Sequence, residues 1–162
     1  MTVQINAIRV EIQANCIYPF AFLWAITGAH FGARMGLGLV ALVLGSLALH
    51  EGGHAIAALL LDIPISAVGL CSKGAYLRRH KAPGAVEVAI AAAGPTLNLT
   101  VALLLWLLAS RTEVVSWTIM VNTVLGLSNF VPLPGSDGRR IIAALRAAAF
   151  PSATPAPAVP VR

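Results

Sequence analysis

The sequence is poor in charged residues. Asp, Glu, Lys and Arg make up only 10% of its 162 residues, whereas 58% are hydrophobic. This composition is typical of membrane proteins and differs from that of soluble domains. The length allows a few spanning helices in one compact unit. We therefore expect a single domain over residues 1–150, followed by a disordered Pro/Ala-rich tail at 151–162.

Cysteine is also scarce. Cys16 and Cys71 are far apart and have no metal-like spacing, which argues against a disulfide framework and against a cysteine-ligated zinc site. The net charge of +5 does not indicate nucleic-acid binding, because the basic residues cluster beside apolar segments. That clustering is typical of the cytoplasmic flanks of membrane helices. We accordingly expect a lipid bilayer and no nucleic acid as partner.

Apolar segments predict about four transmembrane helices, at 17–29, 35–61, 86–108 and 114–130. The first is short for a full span. We interpret it as a short or tilted helix and not as a signal peptide, because no small-x-small cleavage site follows it. An amphipathic helix is predicted at 138–150, lying on the cytoplasmic surface.

A small membrane-associated β-sheet completes the predicted fold, whose class is an all-α membrane protein. Apolar and polar residues alternate at 8–13, which predicts a strand. Residues 65–71 and 75–79 flank Ser72-Lys73-Gly74, which predicts a hairpin. The hairpin and the residues after it form the most basic loop, so the positive-inside rule places this loop and both chain termini in the cytoplasm.

His50-Glu51-Gly52-Gly53-His54 lies inside the second apolar segment. An ionisable group at the centre of a membrane helix costs about 2.5–3.5 kcal/mol, so a helix that only spans the bilayer would not carry these residues. On a helix His50 and His54 share one face. Both can therefore bind one Zn²⁺, with Glu51 beside it as general base.

Catalytic zinc usually has three protein ligands and one water, so a third ligand is required. The candidates are His30, His80, Glu87, Glu113 and Asp137. Arg111 and the start of the fourth helix place Glu113 at the outer face, too far from the histidines. Depth alone does not separate Glu87 from Asp137. An aspartate at 137 is also a natural helix cap. Considered alone, Asp137 would be assigned as a cap. Because a zinc site at the same depth still lacks a ligand, we favour Asp137 as that ligand, at a helix end that can bend into the bundle after Pro132 and Pro134.

Three segments together resemble the site-2 proteases, a family of intramembrane zinc metalloproteases. They are His50 to His54, Gly94-Pro95-Thr96-Leu97-Asn98, and Asn129 to Gly138, which matches N-x-x-P-x-P-x-x-D-G at every fixed position. The resemblance covers most of the chain up to Phe150. The strand, first helix and basic loop are similar to short bacterial members of the sporulation type, and the length leaves no room for a PDZ or CBS domain.

The resemblance implies a zinc endopeptidase that cleaves membrane proteins in or near their spanning segments. It implies one Zn²⁺ per chain, held by His50, His54 and Asp137, with Glu51 as the catalytic base. Asn98 and Asn129 are expected to bind substrate, although a hydrogen bond between helices is the alternative for each. Asn129 is also a candidate for holding the broken backbone before Pro132. The glycines at 52, 53 and 94 are expected to permit close helix packing.

The partners expected from this resemblance are a membrane-protein substrate with a transmembrane segment and a regulatory membrane protein. The expected location is the bacterial cytoplasmic membrane. We further expect the predicted strand and hairpin to hold an unwound substrate by β-augmentation. Two other functions compete: a proteolytically inactive binding or escort protein of the same fold, and a small-ion transporter. The retained Glu51 argues against the first, and the lack of repeat symmetry argues against the second.

Overall fold

The computed structural model describes residues 2–5, 8–72 and 74–150. Within these ranges the chain forms four strands and five α-helices, with a 3-10 turn at Ala14–Cys16. In chain order they are β1 (Thr2–Ile5), β2 (Ile8–Ile12), α1 (Ile17–Phe31), α2 (Ala33–Leu60), β3 (Ile65–Cys71), β4 (Gly74–Arg79), α3 (Gly84–Leu108), α4 (Glu113–Phe130) and α5 (Asp137–Ala149).

The predicted helices and strands are confirmed to within a few residues at their ends. β1 was not predicted. It pairs antiparallel with β2, with Thr2 opposite Glu11 and Ile5 opposite Ile8. Cys16 and Cys71 are free thiols, as expected. The tail predicted at 151–162 lies outside the described residues.

The strands form one mixed sheet in the order β1-β2-β3-β4. β2 and β3 run parallel, because the helical hairpin of α1 and α2 lies between them and returns the chain to the same end. β3 and β4 form an antiparallel hairpin with a register shift near Ile65. β4 is therefore an edge strand, whereas β3 is internal to the sheet.

The helices pack around α3, which contacts α2, α4 and α5. A small hydrophobic core joins this helix to the end of α2 and to the sheet, and its buried members are Ala58, Ile65, Ala82 and Ile90. α1 lies against α2, and their close approach requires glycine. A Cβ at Gly36 would lie 2.6 Å from the backbone nitrogen of Gly28.

Two helices in the described ranges are long and apolar enough to cross a membrane: α2, with 28 residues, and α3, with 25. α1 has 15 residues and α4 has 18. Large apolar side chains are exposed on all four of these helices, among them Tyr18, Leu60, Leu108 and Val114. The fold is thus mostly helical with a small sheet, as predicted, and two of the four expected spans meet the length and hydropathy of a membrane helix.

Candidate metal centre

The two histidines of α2 point into the protein. His50 is 5% exposed and His54 is 3% exposed. They are one helical turn apart, so their side chains project from the same face of α2. Their ring centroids are 4.8 Å apart and the rings are nearly perpendicular. α2 therefore presents two imidazoles side by side toward α3 and α5.

The connection between α4 and α5 brings Asp137 to these rings. Pro132 and Pro134 follow α4 and cannot donate the backbone hydrogen bonds that would continue it. Ser136 caps α5 by accepting a hydrogen bond from the backbone nitrogen of Arg139. A Cβ at Gly138 would overlap the backbone carbonyl of Phe130, so only glycine allows this tight return. Because Ser136 is the cap, the Asp137 carboxylate is free to face the histidines.

Three donor atoms converge at this point. The Oδ2 atom of Asp137 is 3.0 Å from Nε2 of His50 and 3.2 Å from Nε2 of His54. The two Nε2 atoms are 3.2 Å apart. In the described residues this is the one group of three His, Cys, Asp or Glu side chains whose ligand atoms lie close enough to hold a metal ion.

The donor set fits Zn²⁺. Zinc binds histidine nitrogen and carboxylate oxygen at about 2.0–2.2 Å, and tetrahedral angles then place its ligand atoms roughly 3.3 Å from one another. The observed separations of 3.0–3.2 Å are close to that value. The site also needs a positive charge. Neutral imidazoles that donate through Nδ1 would bring two nitrogen lone pairs and a carboxylate together.

Asp137 is ionised in this setting. Burial alone would raise the pKa of its carboxyl group, but without a bound metal His50 and His54 can each donate from Nε2, and these hydrogen bonds hold the pKa well below its usual range. The second oxygen of the carboxylate, Oδ1, is 3.5 Å from a guanidinium nitrogen of Arg140. The ionised form is the one that binds metal.

Each imidazole is oriented by a hydrogen bond from its other nitrogen. His54 donates from Nδ1 to the backbone carbonyl of Ile90 at 2.7 Å. His50 donates from Nδ1 to Oδ1 of Asn98 at 3.0 Å, because an amide oxygen can only accept. Such partners fix the tautomer and the ring orientation of a metal ligand.

The structure gives Asn98 protein partners on every polar atom. Its side chain has no exposed surface, and its Nδ2 donates to the backbone carbonyl of Ser46 and to Oδ1 of Asn122. A contact with substrate would require Asn98 to leave these partners, so substrate binding by Asn98 stays an untested prediction. The role supported by its contacts is orientation of His50.

Sequence reasoning missed Ser46 and Asn122. Both are buried, and Asn122 donates to the Ser46 hydroxyl at 3.0 Å and to the backbone carbonyl of Thr118 at 2.9 Å. The available signal was polarity alone, because each is a polar residue in a mostly apolar helix. Such residues usually hydrogen-bond across helices, and polarity does not identify the partner.

The other candidates for the third ligand lie elsewhere. Glu87 forms an ion pair with Arg79, with the shortest distance 2.8 Å, and also accepts from the backbone nitrogen of Ala82. His30 is in the last turn of α1 and Glu113 is in the first turn of α4. His80 follows β4. The geometry thus separates Asp137 from Glu87, which depth along the sequence did not.

A cavity of about 800 Å³ opens beside the metal centre. His50, Glu51 and Asp137 line it on one side, and Asn129 and Arg140 lie at its wall. The edge strand β4 forms another wall through residues 74–78. Glu51 therefore faces the same space as the candidate ligands His50 and Asp137. Asn129 also faces this space, while its Nδ2 donates to the Leu125 carbonyl of its own helix.

Side chains of β4, which forms one wall of the cavity, contact Glu11 of β2 across the sheet. The Tyr76 hydroxyl donates to Oε2 of Glu11 at 2.6 Å, and a guanidinium nitrogen of Arg78 lies 3.3 Å from the same oxygen. The hydrogen bond from Tyr76 is the main cause that lowers the pKa of Glu11, and it raises the pKa of Tyr76. Gly69 of β3 leaves room for this contact, since a Cβ there would lie 2.8 Å from the Tyr76 hydroxyl.

Comparison with known proteins gives a structural match. No family model matches the sequence, and no curated protein matches it. Among solved structures, the chain is similar to "Site-2 Protease from Methanocaldococcus jannaschii", with a TM-score of 0.76 and 22% sequence identity. The match covers 93% of this chain and 73% of that one. The resemblance to site-2 proteases is therefore confirmed at the level of the fold.

Proposed function

We propose that this chain is an intramembrane zinc metalloprotease that hydrolyses peptide bonds in or near the transmembrane segments of membrane proteins. The observation that carries the proposal is the convergence of His50, His54 and Asp137 within 3.2 Å of one another, in a cavity that Glu51 also lines. The shared fold with a solved site-2 protease supports it independently.

The residues of the site have distinct roles in this proposal. A bound Zn²⁺ would polarise the peptide carbonyl and lower the pKa of a bound water to about 7. His50, His54 and Asp137 would hold the ion. Glu51 takes a proton from the attacking water as its oxygen adds to the carbonyl carbon. It then delivers that proton to the amine nitrogen as the C–N bond breaks.

The substrate must present an extended backbone to this site, because a helix keeps its carbonyls in internal hydrogen bonds. The edge of β4 supports a route, since it is unpaired within the described sheet and lines the cavity. A substrate segment added to this edge would run past Glu51 and Asn129. Strand addition uses main-chain hydrogen bonds and therefore tolerates varied side chains.

We further propose that α1 to α4 all span the membrane, with the sheet and α5 at the cytoplasmic face. At 1.5 Å per residue, α4 is about 27 Å long and α1 about 22 Å, compared with a hydrocarbon core of roughly 30 Å. Tilt cannot lengthen a short helix, so α1 requires a locally thinner bilayer or polar flanks that reach the interface. The exposed apolar side chains on these helices support contact with lipid.

The proposal is tested with three variants of the full chain purified in detergent. Glu51→Gln should keep zinc and lose cleavage of a co-expressed, tagged single-pass substrate, because only the proton carrier is removed. Asp137→Ala should weaken zinc binding by more than about 100-fold, the upper end of the effect of losing a ligand's hydrogen-bond partner. Glu113→Gln, at the far end of α4, is the matched control and should retain both properties.

Zinc content by elemental analysis and substrate cleavage by immunoblot distinguish the competing functions. A parent protein that binds zinc but cleaves none of a panel of membrane substrates would favour the inactive binding or escort protein. A parent protein without zinc affinity would overturn the metalloprotease proposal. Cleavage that persists in Glu51→Gln would remove Glu51 from the mechanism.

A further inference from the structure

A buried network of hydrogen-bonded side chains lies behind His50 and joins three helices. It consists of Ser46 on α2, Asn98 on α3 and Asn122 on α4. Their exposed fractions are 5%, 0% and 1%. Among the described residues, no buried side-chain nitrogen or oxygen lacks a hydrogen-bond partner. Every polar atom of this network thus has a hydrogen-bond partner. A buried network in which all groups are paired keeps a single arrangement.

Only one assignment of donors and acceptors fits the hydrogen bonds of this network. The backbone carbonyl of Thr118 can only accept, so Asn122 directs its Nδ2 there and its Oδ1 toward Asn98. Asn98 then donates from Nδ2 to that oxygen and to the Ser46 carbonyl. Its own Oδ1 must face His50. Because this oxygen can only accept, the proton of His50 stays on Nδ1.

The consequence reaches the metal centre. With its proton on Nδ1, His50 presents the lone pair of Nε2 toward His54 and Asp137. The backbone carbonyl of Ile90 does the same for His54 directly. His50 differs, because the orientation of its ring depends on side chains from two other helices.

We infer that Asn122 and Ser46 are positioning residues of the metal centre: they fix the amide of Asn98, which fixes the tautomer and ring orientation of His50. The inference rests on the proposed function, since it assigns these residues to a zinc site. If the network only joined helices, its loss would reduce stability and leave the metal ligands unchanged in the folded fraction. A positioning role instead changes the affinity and the ligand geometry of the bound metal.

The test uses Asn122→Leu in the full chain, with Thr118→Val as the matched control. Asn122→Leu retains volume and removes all hydrogen bonds of the amide, so zinc affinity, measured by chelator competition, should fall about tenfold. Thr118→Val changes a polar side chain one turn away and keeps the carbonyl that Asn122 uses. Its zinc affinity should equal that of the parent.

Co²⁺ supplies a second readout that a purely structural role would not change. In Asn122→Leu the visible absorption of bound Co²⁺ should shift, because the His50 ring can rotate or change tautomer. Ser46→Ala adds no bulk and keeps the Ser46 carbonyl. It therefore serves as the second test variant if Asn122→Leu does not fold. It removes one acceptor from Asn122 and should weaken zinc binding about threefold.

Parent-like zinc affinity and an unchanged Co²⁺ spectrum in both Asn122→Leu and Ser46→Ala would overturn the inference while leaving the proposed protease intact. If Asn122→Leu does not fold, parent-like behaviour of Ser46→Ala alone overturns it. Absence of zinc binding by the parent chain itself would overturn the proposed function, and the inference with it. The parent measurement therefore distinguishes the two failures.

Discussion

Two adjacent glycines of α2 have different surroundings. A Cβ at Gly53 would lie 2.8 Å from the backbone oxygen of Ala93 and 2.9 Å from the Cα of Gly94. A Cβ at Gly52 would meet nothing within 4 Å. Gly53 thus allows α2 and α3 to approach closely, and a Cβ at Gly94 would overlap the ring of His54. The close packing expected of all three glycines holds for Gly53 and Gly94 and is wrong for Gly52.

This difference predicts opposite effects of the same substitution. Gly53→Ala must separate α2 from α3 or shift them, which typically costs about 1–3 kcal/mol for an overpacked core. It should lower the melting temperature and weaken zinc binding, because His54 moves relative to Asp137. Gly52→Ala is the matched control and should leave zinc binding unchanged, with stability equal or higher, since alanine favours a helix by about 1 kcal/mol. Equal melting temperatures and equal zinc affinities of the two variants would contradict the assignment.

At this scale, spacing predicts the candidate ligands better than it predicts the residues that orient them. His50 and His54 follow from helical periodicity, because the i and i+4 positions share a face whatever surrounds the helix. Asp137 was favoured from its place after a broken helix, but depth left Glu87 open, and the contacts of Glu87 with Arg79 and Ala82 separate the two. The contact between Asn98 and His50 depends on how three helices pack. Neither that packing nor the difference between Gly52 and Gly53 is encoded in local pattern.

At the scale of elements, the sheet was predicted in part. The hairpin of β3 and β4 follows from alternating residues around a Ser-Lys-Gly turn. The neighbour of β3 is β2, brought there by the α1–α2 hairpin, and this pairing is non-local. Because β3 is internal, proline substitutions at 67–70 would disrupt the sheet itself and would not test substrate binding. β2 is internal as well, because it pairs with both β1 and β3. The edge strands of the described sheet are β1 and β4, and β4 lines the cavity.

Single prolines along β4 test strand addition. Backbone N–H groups of an edge strand point alternately toward its neighbour and outward. Among prolines at residues 75–78, those at inward N–H positions should destabilise the sheet. Those at outward positions should keep zinc content and melting temperature but lose cleavage of the co-expressed substrate. If every proline variant that keeps zinc also cleaves at the parental rate, the substrate does not add to β4.

In the connection between α4 and α5, the positions of Asp137 and Gly138 depend on the turn that Pro132 and Pro134 begin. Pro132 and Pro134 end α4, and Gly135 adopts a positive φ of 92° that turns the chain back. Ser136 donates to the Val131 carbonyl at 2.6 Å and fixes the turn. Gly138 then packs against the end of α4. The backbone geometry of this turn therefore places the Asp137 carboxylate at the candidate metal centre. The spacing of the motif in the sequence does not by itself show this turn.

On the scale of the whole molecule, positive charge is concentrated at one end. Arg9, Arg78, Arg79, Lys81, Arg139, Arg140 and Arg146 lie in the sheet, in the loop after it or in α5. Arg34 lies in the first turn of α2 and Arg111 lies in the turn before α4, at the other end of these helices. The cavity joins the sheet and α5 through Tyr76 and Arg140, so both belong to the same end. By the positive-inside rule, this distribution of charge supports the proposal that this end faces the cytoplasm.

The proposed orientation predicts which positions react from each side of the membrane. In a background with Cys16→Ser and Cys71→Ser, single cysteines are placed at Lys81 and Ser110, the two sides of α3. An impermeant maleimide added to intact cells should label Ser110→Cys only, and in inside-out vesicles it should label Lys81→Cys only, because α3 crosses the bilayer between them.

A third position tests α1, the shortest of the four proposed spans. His30 is exposed in the last turn of α1. His30→Cys should be labelled in intact cells together with Ser110→Cys if α1 crosses the membrane despite its 15 residues. Labelling of His30→Cys only in inside-out vesicles would show that α1 and the start of α2 do not reach the outer face. Labelling of Lys81→Cys and Ser110→Cys from the same side would contradict a spanning α3, and the membrane-embedded metal centre would then lose its premise.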